Sequence, residues 1–331
     1  MKTQYTISVI ICAYTQNRWN ELVAAIESVQ RQTLLPQKII VVIDHNPELL
    51  QQARAHIAHC IIVENTEVRG LSGARNTGIS VAKGDIIAFL DDDAVAAPDW
   101  LMKLSEPFSD PEILGVGGAV HPLWMENEPN WFPEEFYWVV GCTYRGMPRT
   151  RAIIRNPIGA NMCVRREVFD AVGGFRSEIG RVGTRPVGCE ETELCIRAHK
   201  YWPERVFCYQ PQARVVHCVT SNRATWHYFW SRCYAEGLSK AVVTQYVGAK
   251  DSLASESSYT LKTLPQGVAR NLAHALLHGN FAKLASAGAI VAGLVVTTTG
   301  YCVGRIFSTT VVSKMNPVLN SSIAAVSADI R

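Results

Sequence analysis

Three consecutive carboxylates, Asp91, Asp92 and Asp93, follow an apolar run at residues 86–90. Adjacent carboxylates repel each other strongly unless positive charge shares their space. In an extended chain Asp91 and Asp93 point to the same side, which suits a hard divalent cation that takes oxygen ligands and also binds phosphate. The alternative is a solvated acidic turn after a strand, and these residues alone leave both open.

A second acidic cluster, Glu190, Glu191 and Glu193, precedes a helical stretch at residues 194–198. Acidic side chains in the first turn of a helix interact favourably with the helix dipole, so a purely structural role is an alternative to a chemical one.

The region from about residue 122 is rich in aromatic side chains and lacks clear periodicity. Aromatic residues at this density line sugar- or lipid-facing grooves, and they also build ordinary cores, so both interpretations stay open. The aromatic side chains are Trp124, Trp131, Phe132, Phe136, Tyr137, Trp138 and Tyr144.

Four short apolar segments have the length and Ile/Val content of strands buried on both faces. Helical patterns lie between them, and this alternation predicts an α/β fold with a mostly parallel sheet and flanking helices. The second segment ends on Asp44 and Asp91 directly follows the fourth, which places both at strand ends, where open α/β sheets bind ligands. The segments are residues 8–14, 38–44, 60–65 and 86–90.

The composition excludes several classes of protein. The 331 residues are 48% hydrophobic and 18% charged, which is typical of a globular chain, and the net charge of +3 is too small to indicate a nucleic-acid partner. The ten cysteines are scattered without a CxxC pair, so we expect reduced thiols in a cytosolic protein and no zinc ribbon. The chain enters its first strand directly, so no signal peptide is expected.

No GxxxxGK[ST] loop occurs, and the glycine-rich stretch at residues 70–78 lacks GxGxxG spacing. The absence of these motifs therefore argues against an ATPase or a dinucleotide-dependent dehydrogenase.

In their order along the chain, these segments resemble the family 2 glycosyltransferases with the GT-A fold, over roughly residues 5–240. The resemblance is closest to bacterial and archaeal members that act near membranes on lipid-linked or exported glycans. The segments that carry it, besides the strand ending in Asp44, are residues 8–11, 74–78, 89–93, 159–161, 173–175 and 190–194.

This resemblance implies a nucleotide-diphosphate-sugar donor, through the base pocket a UDP-sugar, and Mg²⁺ or Mn²⁺ as the cofactor. The metal-binding residues it implies are Asp93, Asp91 and His217. The donor-binding residues it implies are Ala13, Tyr14, Asp44, Arg75, Asp91 and Asp92.

The acceptor hydroxyl needs a general base. The family supplies it from a Glu-Asp pair, and this chain has Glu190-Glu191 there, so Glu191 takes the place of the aspartate. Glu190 and Glu193 are alternatives. A single displacement with such a base inverts the anomeric centre, and the acceptor is expected to be a glycan or a lipid-linked sugar.

Two functions from other classes stay open. A catalytically inactive GT-A-like domain would bind a nucleotide-sugar or glycan without turnover, and the glutamate at Glu191 is its support. A nucleotidyltransferase would need a basic, glycine-rich loop after the first strand, and residues 15–18 offer little of that.

We expect a glycosyltransferase domain over residues 1–240, with a nucleotide-sugar-binding half at 1–120 and an acceptor and catalytic half at 121–240. A polar linker near 250–258 and helices follow in 241–331.

The C-terminal helices suggest contact with a membrane. Residues 285–304 carry no charge, which permits a membrane span, an interfacial helix or a buried helix. Residues 268–282 suit an interfacial helix on anionic lipid. Membrane contact through 268–304 would place the enzyme at the cytoplasmic face of the membrane.

Overall fold

The computed structural model describes residues 5–182, 188–248 and 256–306. Within these ranges one mixed sheet runs through the protein. Its strands are β1 Ile7–Ala13, β2 Lys38–Ile43, β3 Ile61–Glu64, β4 Ile86–Asp91, β5 Ala94–Ala96, β6 Ile113–Trp124, β7 Ala152–Ile154, β8 Asn161–Arg165 and β9 Val206–Val219.

Helices cover the two faces and the C-terminal side of this sheet. They are α1 Trp19–Gln30, α2 Pro47–His56, α3 Leu71–Val81, α4 Trp100–Ser105, α5 Arg166–Val172, α6 Glu190–Tyr201, α7 Trp226–Val247, α8 Leu264–His278 and α9 Ala282–Ile306. Local signals begin several of them: Asn46, for example, caps α2 by accepting a hydrogen bond from the Leu49 amide, and Pro47 is the first residue of the helix.

The strand order is β3-β2-β1-β4-β8-β6-β9-β5, with β7 paired to β9. Strands β3, β2, β1 and β4 are mutually parallel, β8 runs antiparallel between β4 and β6, and β6 and β9 are parallel. The predicted α/β fold with flanking helices is confirmed; the sheet, expected to be mostly parallel, is mixed, and its parallel pairs are concentrated in β3, β2, β1 and β4. Parallel pairing brings the carboxyl ends of β1, β2 and β4 to one edge of the sheet.

The core lies on both faces of the first strands. Val9, Ile10 and Ile11 in β1 are all buried although they alternate in direction, because helices cover both sides of the sheet. Gly78 in α3 sits over this strand: a Cβ atom there would lie 2.6 Å from Cγ2 of Ile10. The glycine lets α3 lie close to the sheet. This sets the distance between the sheet and Arg75, which lies one turn earlier in the helix.

Two strands of the sheet are longer than the others. Strands β6 and β9 have 12 and 14 residues, and the sequence analysis did not assign either of them. The pairing between β6 and β9 shifts register after Gly118, where β9 contributes extra residues. Beyond the bulge, residues 215–217 of β9 pair with β5 on one side and with β6 on the other.

The C-terminal helices pack onto the rest of the chain. Helix α7 continues through position 240, the expected domain boundary, and the domain division stays a prediction. The expected helix over 268–282 is wrong at its end, because α8 stops at His278 and Gly279 adopts a left-handed φ of 63°. The expected linker lies mostly outside the described residues, and its last residues, 256–258, are helical.

Candidate active site

The three aspartates lie where β4 ends and β5 begins. Asp91 is the last residue of β4, and Asp92 and Asp93 form a turn, so the expected extended path through all three is wrong. The turn still gathers them, because Ala94 pairs with His217 on β9 and the Cys218 amide donates to the Asp93 carbonyl at 2.8 Å.

Asp91, Asp93 and His217 come together as the sequence predicts. One ligand atom from each lies within 4.8 Å of the others. The Asp93 Oδ1 and His217 Nε2 atoms are 3.0 Å apart, close to the ~3 Å expected for neighbouring ligands around an octahedral ion with ligand distances of about 2.1 Å. Asp91 is partly exposed, with 30% of its side chain accessible. The donor set therefore fits a divalent cation.

Two arginines that the sequence analysis did not assign also contact the aspartates. Arg18 Nη1 lies 2.8 Å from Asp92 Oδ1 and 3.1 Å from Asp93 Oδ2. Arg223 Nη2 lies 3.3 Å from Asp93 Oδ2. The local sequence does not indicate these contacts, because Arg18, just before α1, and Arg223, just after β9, are both far from the aspartates along the chain.

Charge around the aspartates sets their protonation in opposite directions. Burial alone would raise the pKa of Asp93, but His217, Arg18 and Arg223 outweigh it and hold that pKa well below the usual range. Burial and the neighbouring Asp93 raise the pKa of Asp92 to about 7. Among the described residues, Asp92 Oδ2 has no hydrogen-bond partner.

Arg75 connects the aspartates to the second acidic cluster. Its guanidinium is buried, with Nη1 2.7 Å from Glu190 Oε1 and Nη2 3.6 Å from Asp91 Oδ1. Nη2 also donates to the Gly159 carbonyl at 3.3 Å. The structure thus places Arg75 between the two carboxylate sites, not on the surface.

Glu191 lies in the first turn of α6 and lines the same cavity as Asp91. The turn into α6 is sharp: Cys189 at its N-cap has a φ of 73°, a left-handed value that is strained for a residue with a Cβ. Burial and the charge of Glu190 raise the pKa of Glu191 to about 8, although Arg75 lowers it. Once ionised, a carboxylate with that pKa is a stronger base than an ordinary glutamate.

Glu193 is held in ion pairs. Its Oε1 accepts from Arg176 Nε at 2.7 Å and from Arg197 Nε at 3.0 Å, and its Oε2 accepts from Arg197 Nη2 at 2.7 Å. The side chain is buried away from the cavity lining. These contacts favour a positioning role in α6 over the alternative role as base.

The predicted donor-binding residues share the edge of the sheet with Asp91. Ala13 ends β1, and its carbonyl accepts from the Asp44 amide at 2.8 Å. The Asp44 carboxylate is buried and accepts from Asn65 Nδ2 at 2.7 Å and from the Gly70 amide at 3.0 Å. Tyr14 follows Ala13, and the guanidinium carbon of Arg18 lies 5.6 Å from its ring centroid.

A cavity of about 760 Å³ extends from Asp91, Glu190 and Glu191 toward the C-terminal helices. Its charged end carries Arg75, Asp91, Glu190 and Glu191, and Arg181 also lines it. Its far wall is formed by Leu264, Leu294, Thr297, Thr298 and Tyr301, all from α8 and α9.

The aromatic region divides between the two roles left open by the sequence. Phe132 and Phe136 are buried and pack on Phe229 of α7, so they belong to the core, although Phe136 also reaches the cavity. Trp138 and Tyr144 line the cavity.

Comparisons with known proteins agree with this geometry. The profile of glycosyl transferase family 2 matches residues 8–173. The glucosyl-dolichyl phosphate glucuronosyltransferase of Haloferax volcanii is 36% identical over 245 residues, 72% of this chain and 77% of that protein. The succinoglycan biosynthesis protein ExoM of Rhizobium meliloti is 24% identical over 241 residues, 70% of this chain and 72% of that protein.

A solved structure shares the fold. The mannosyltransferase PcManGT from Pyrobaculum calidifontis, in complex with GDP-Man and Mn²⁺, gives a TM-score of 0.57 at 18% identity, covering 92% of this chain and 88% of that one. The fold is therefore of GT-A type, and Asp91, Asp93 and His217 are a group that could hold a divalent metal ion. With the profile and the archaeal relative, these findings show that the chain is a glycosyltransferase and belongs to glycosyl transferase family 2.

Proposed function

We propose that this enzyme transfers a sugar from a UDP-sugar to an acceptor hydroxyl with inversion of the anomeric centre. The observation that carries the proposal is that Asp91 and Glu191 line one cavity. Asp91 belongs to the cluster with Asp93 and His217, and Glu191 supplies a separate carboxylate.

The donor would lie at the edge of the sheet. Asp44, Ala13 and Tyr14 would contact the nucleoside, and Arg75 would lie near the diphosphate. Asp91, Asp93 and His217 would hold Mg²⁺ or Mn²⁺, which offsets the negative charge of the leaving diphosphate when it is bound. Asp92, neutralised by Arg18, would keep the turn in place on the donor side.

Glu191 would take the proton from the acceptor hydroxyl. Its raised pKa makes it a stronger base than an exposed glutamate, and Glu190 beside it is already engaged with Arg75. Attack from the Glu191 side, opposite the leaving group, forms the new glycosidic bond as the bond to the diphosphate breaks. One such displacement inverts the configuration.

We propose a glycan or a lipid-linked sugar as the acceptor. The cavity has room for more than the donor's sugar, and Leu264 and Leu294 contribute apolar surface to its far wall. The Haloferax relative is named for glucosyl-dolichyl phosphate, a sugar linked to a lipid. Action at the cytoplasmic face of a membrane belongs to the same proposal.

The first test is calorimetric titration of the purified chain with UDP and with GDP, each with Mn²⁺ and with a chelator. We expect Mn²⁺-dependent binding of UDP. Tighter binding of GDP would contradict the UDP assignment and leave the metal site standing.

The stereochemical test follows from the first. UDP-sugars are screened for transfer, and proton NMR of the early product compares its anomeric configuration with that of the donor. Inversion is expected, and retention would overturn the role of Glu191 as base in a single displacement.

A further inference from the structure

The last turns of α8, the connection to α9 and the first turn of α9 expose large apolar side chains. Leu276, Leu277 and Phe281 are 83%, 80% and 76% exposed, and Leu272 and Leu284 beside them are exposed as well. We call these five residues the apolar tip. A contiguous exposed patch of this kind marks an interaction surface, because isolated proteins rarely leave one in water.

The charge around the apolar tip is of one sign. Residues 257–306 contain four Lys or Arg and no Asp or Glu, which gives this segment a charge of +4. Since the whole chain carries +3, its other residues together carry −1. The cations are Lys262, Arg270, Lys283 and Arg305. Positive charge is therefore concentrated in the helices that carry the apolar tip, which complements an anionic lipid surface.

Helix α8 has three distinct faces, as interfacial helices do. Leu264, Gly267, Asn271 and Ala275 face the protein and are buried. Arg270, His274 and His278 follow each other at four-residue spacing on a basic stripe, and Arg270 is fixed there by an ion pair to Glu135 at 2.5 Å. Leu272 and Leu276 form the outward apolar stripe.

Helix α9 is long and apolar enough to cross a bilayer by length and composition. Two of its faces are already used inside the protein, however. Leu294, Thr297 and Tyr301 line the active-site cavity, and Gly300 packs on α7 so closely that a Cβ atom there would lie 2.2 Å from the Tyr234 carbonyl oxygen. A helix that crossed the bilayer alone would give up this cavity wall.

The third face of α9 is exposed and carries no charge over most of its length. Leu284, Gly288, Val291 and Val295 follow each other at helical spacing on this face. It continues the surface of the apolar tip, so α8 and α9 together offer one apolar surface with basic residues beside it.

We propose that the chain docks on one leaflet of an anionic bilayer through the apolar tip, with α9 lying along the membrane without crossing it. The leucines and Phe281 enter the region between headgroups and acyl chains, and Lys262 and Lys283 meet the headgroups. The same two helices wall the cavity, so a lipid-linked acceptor would reach the site from the membrane; this consequence rests on the proposed function, whereas the docking does not.

Vesicle co-sedimentation of the full chain tests the docking without any substrate. Vesicles of phosphatidylcholine alone are compared with vesicles that also contain phosphatidylglycerol, at low and high salt. We expect binding to the anionic vesicles that weakens with salt. The double variant Leu276→Asp/Leu277→Asp should lose at least about tenfold in binding, because charges replace two leucines that enter the bilayer in the docked state.

Leu35→Asp is the matched control, since Leu35 is 69% exposed in the loop between α1 and β2. It should bind vesicles as the wild type does. Mn²⁺-dependent nucleotide binding by the double variant shows that it is folded, and it also separates the two proposals: loss of docking with intact nucleotide binding leaves the proposed function standing. The Lys262→Glu/Lys283→Glu variant should lose the preference for anionic vesicles.

Three results would overturn the proposal. Equal vesicle binding by wild type and the double variant would remove the apolar tip from the interface. Resistance of the membrane-bound chain to alkaline carbonate extraction would show a span. A vesicle-free dimer that the double variant dissociates would show that a second copy covers the apolar tip.

Discussion

Two acidic sites lie on either side of Arg75 at one end of the cavity, and they are built in different ways. The strand-end site, Asp91, Asp93 and His217, comes from neighbouring strands of one sheet and is crowded by arginines. The helix-start site, Glu190 and Glu191, comes from the first turn of α6, and Glu191 has a pKa of about 8. Asp93 in the first site is therefore held ionised, whereas Glu191 in the second titrates closer to neutral pH.

The difference shows how one cavity can hold carboxylates with opposite tasks. Close cations favour the ionised form of Asp93, whereas burial beside a like charge disfavours the ionised form of Glu191. Arg75 lies between the sites and contacts Glu190 and Asp91.

The largest effect is expected from removing the strand-end site. Asp93→Ala should lower the rate of transfer by more than about 10³-fold and abolish Mn²⁺-dependent nucleotide binding, because charge stabilisation of the leaving group is a dominant contribution in such reactions. Initial rates and calorimetry measure both. Asp170→Asn, on the exposed face of α5, is the control and should change neither. Activity retained in Asp93→Ala would remove the aspartate from the mechanism.

A change at the helix-start site should separate chemistry from donor binding. Glu191→Gln should lower kcat by about 10²–10⁴-fold, the usual range for loss of a general base, while nucleotide binding stays as in the wild type. Single-turnover rates and calorimetry give the two quantities. Glu193→Gln is the comparison, since it breaks ion pairs within α6 and should reduce stability more than it reduces kcat. A larger kcat effect at Glu193 than at Glu191 would exchange their roles.

The contact between the two sites can be broken at Arg75. Arg75→Met should destabilise the fold by about 3–5 kcal/mol, because it leaves the buried Glu190 carboxylate without its partner. Arg31→Met breaks the exposed pair with Glu27 and should cost less than about 1 kcal/mol. Urea unfolding of both variants measures the contrast, and equal losses would show that the Arg75 pair is not buried in solution.

The helix side of the cavity also depends on a close helix contact. Gly300→Ala should destabilise the protein by about 1–3 kcal/mol, because the added methyl meets the Tyr234 carbonyl oxygen. Gly288→Ala, also in α9, has open space around it and should stabilise by up to about 1 kcal/mol through helix propensity. Thermal unfolding compares the two. The same sign for both would mean that α9 does not pack on α7 in this way.

The smallest effect is a pH dependence of the helix-start site. Below its pKa of about 8, Glu191 is mostly protonated and cannot accept a proton. We expect kcat to fall by about tenfold for each pH unit below that value and to level off above it. A profile of kcat against pH tests this, and Glu191→Asp should move its midpoint. A flat profile between pH 6 and pH 9, roughly one to two units on either side of the pKa, would exclude this titration from the rate.

The sequence by itself determined the first four strands of the sheet and the edge at which the strand-end site lies. Apolar runs predict buried strands, and parallel pairing places Asp44 and Asp91 at the same edge of the sheet. It also predicted that Asp91, Asp93 and His217 would meet, through the family resemblance.

Only the tertiary structure decided the rest of the site. Arg75 and Glu190 are 115 positions apart, and Arg223 and Asp93 are 130 apart, so neither contact has a local signal in the sequence. The first turn of α6 offers three glutamates, and packing decides that Glu193 binds arginines while Glu191 faces the cavity. Side-chain direction and burial depend on which elements pack together, and that is why the sequence named these residues without deciding what each one contacts.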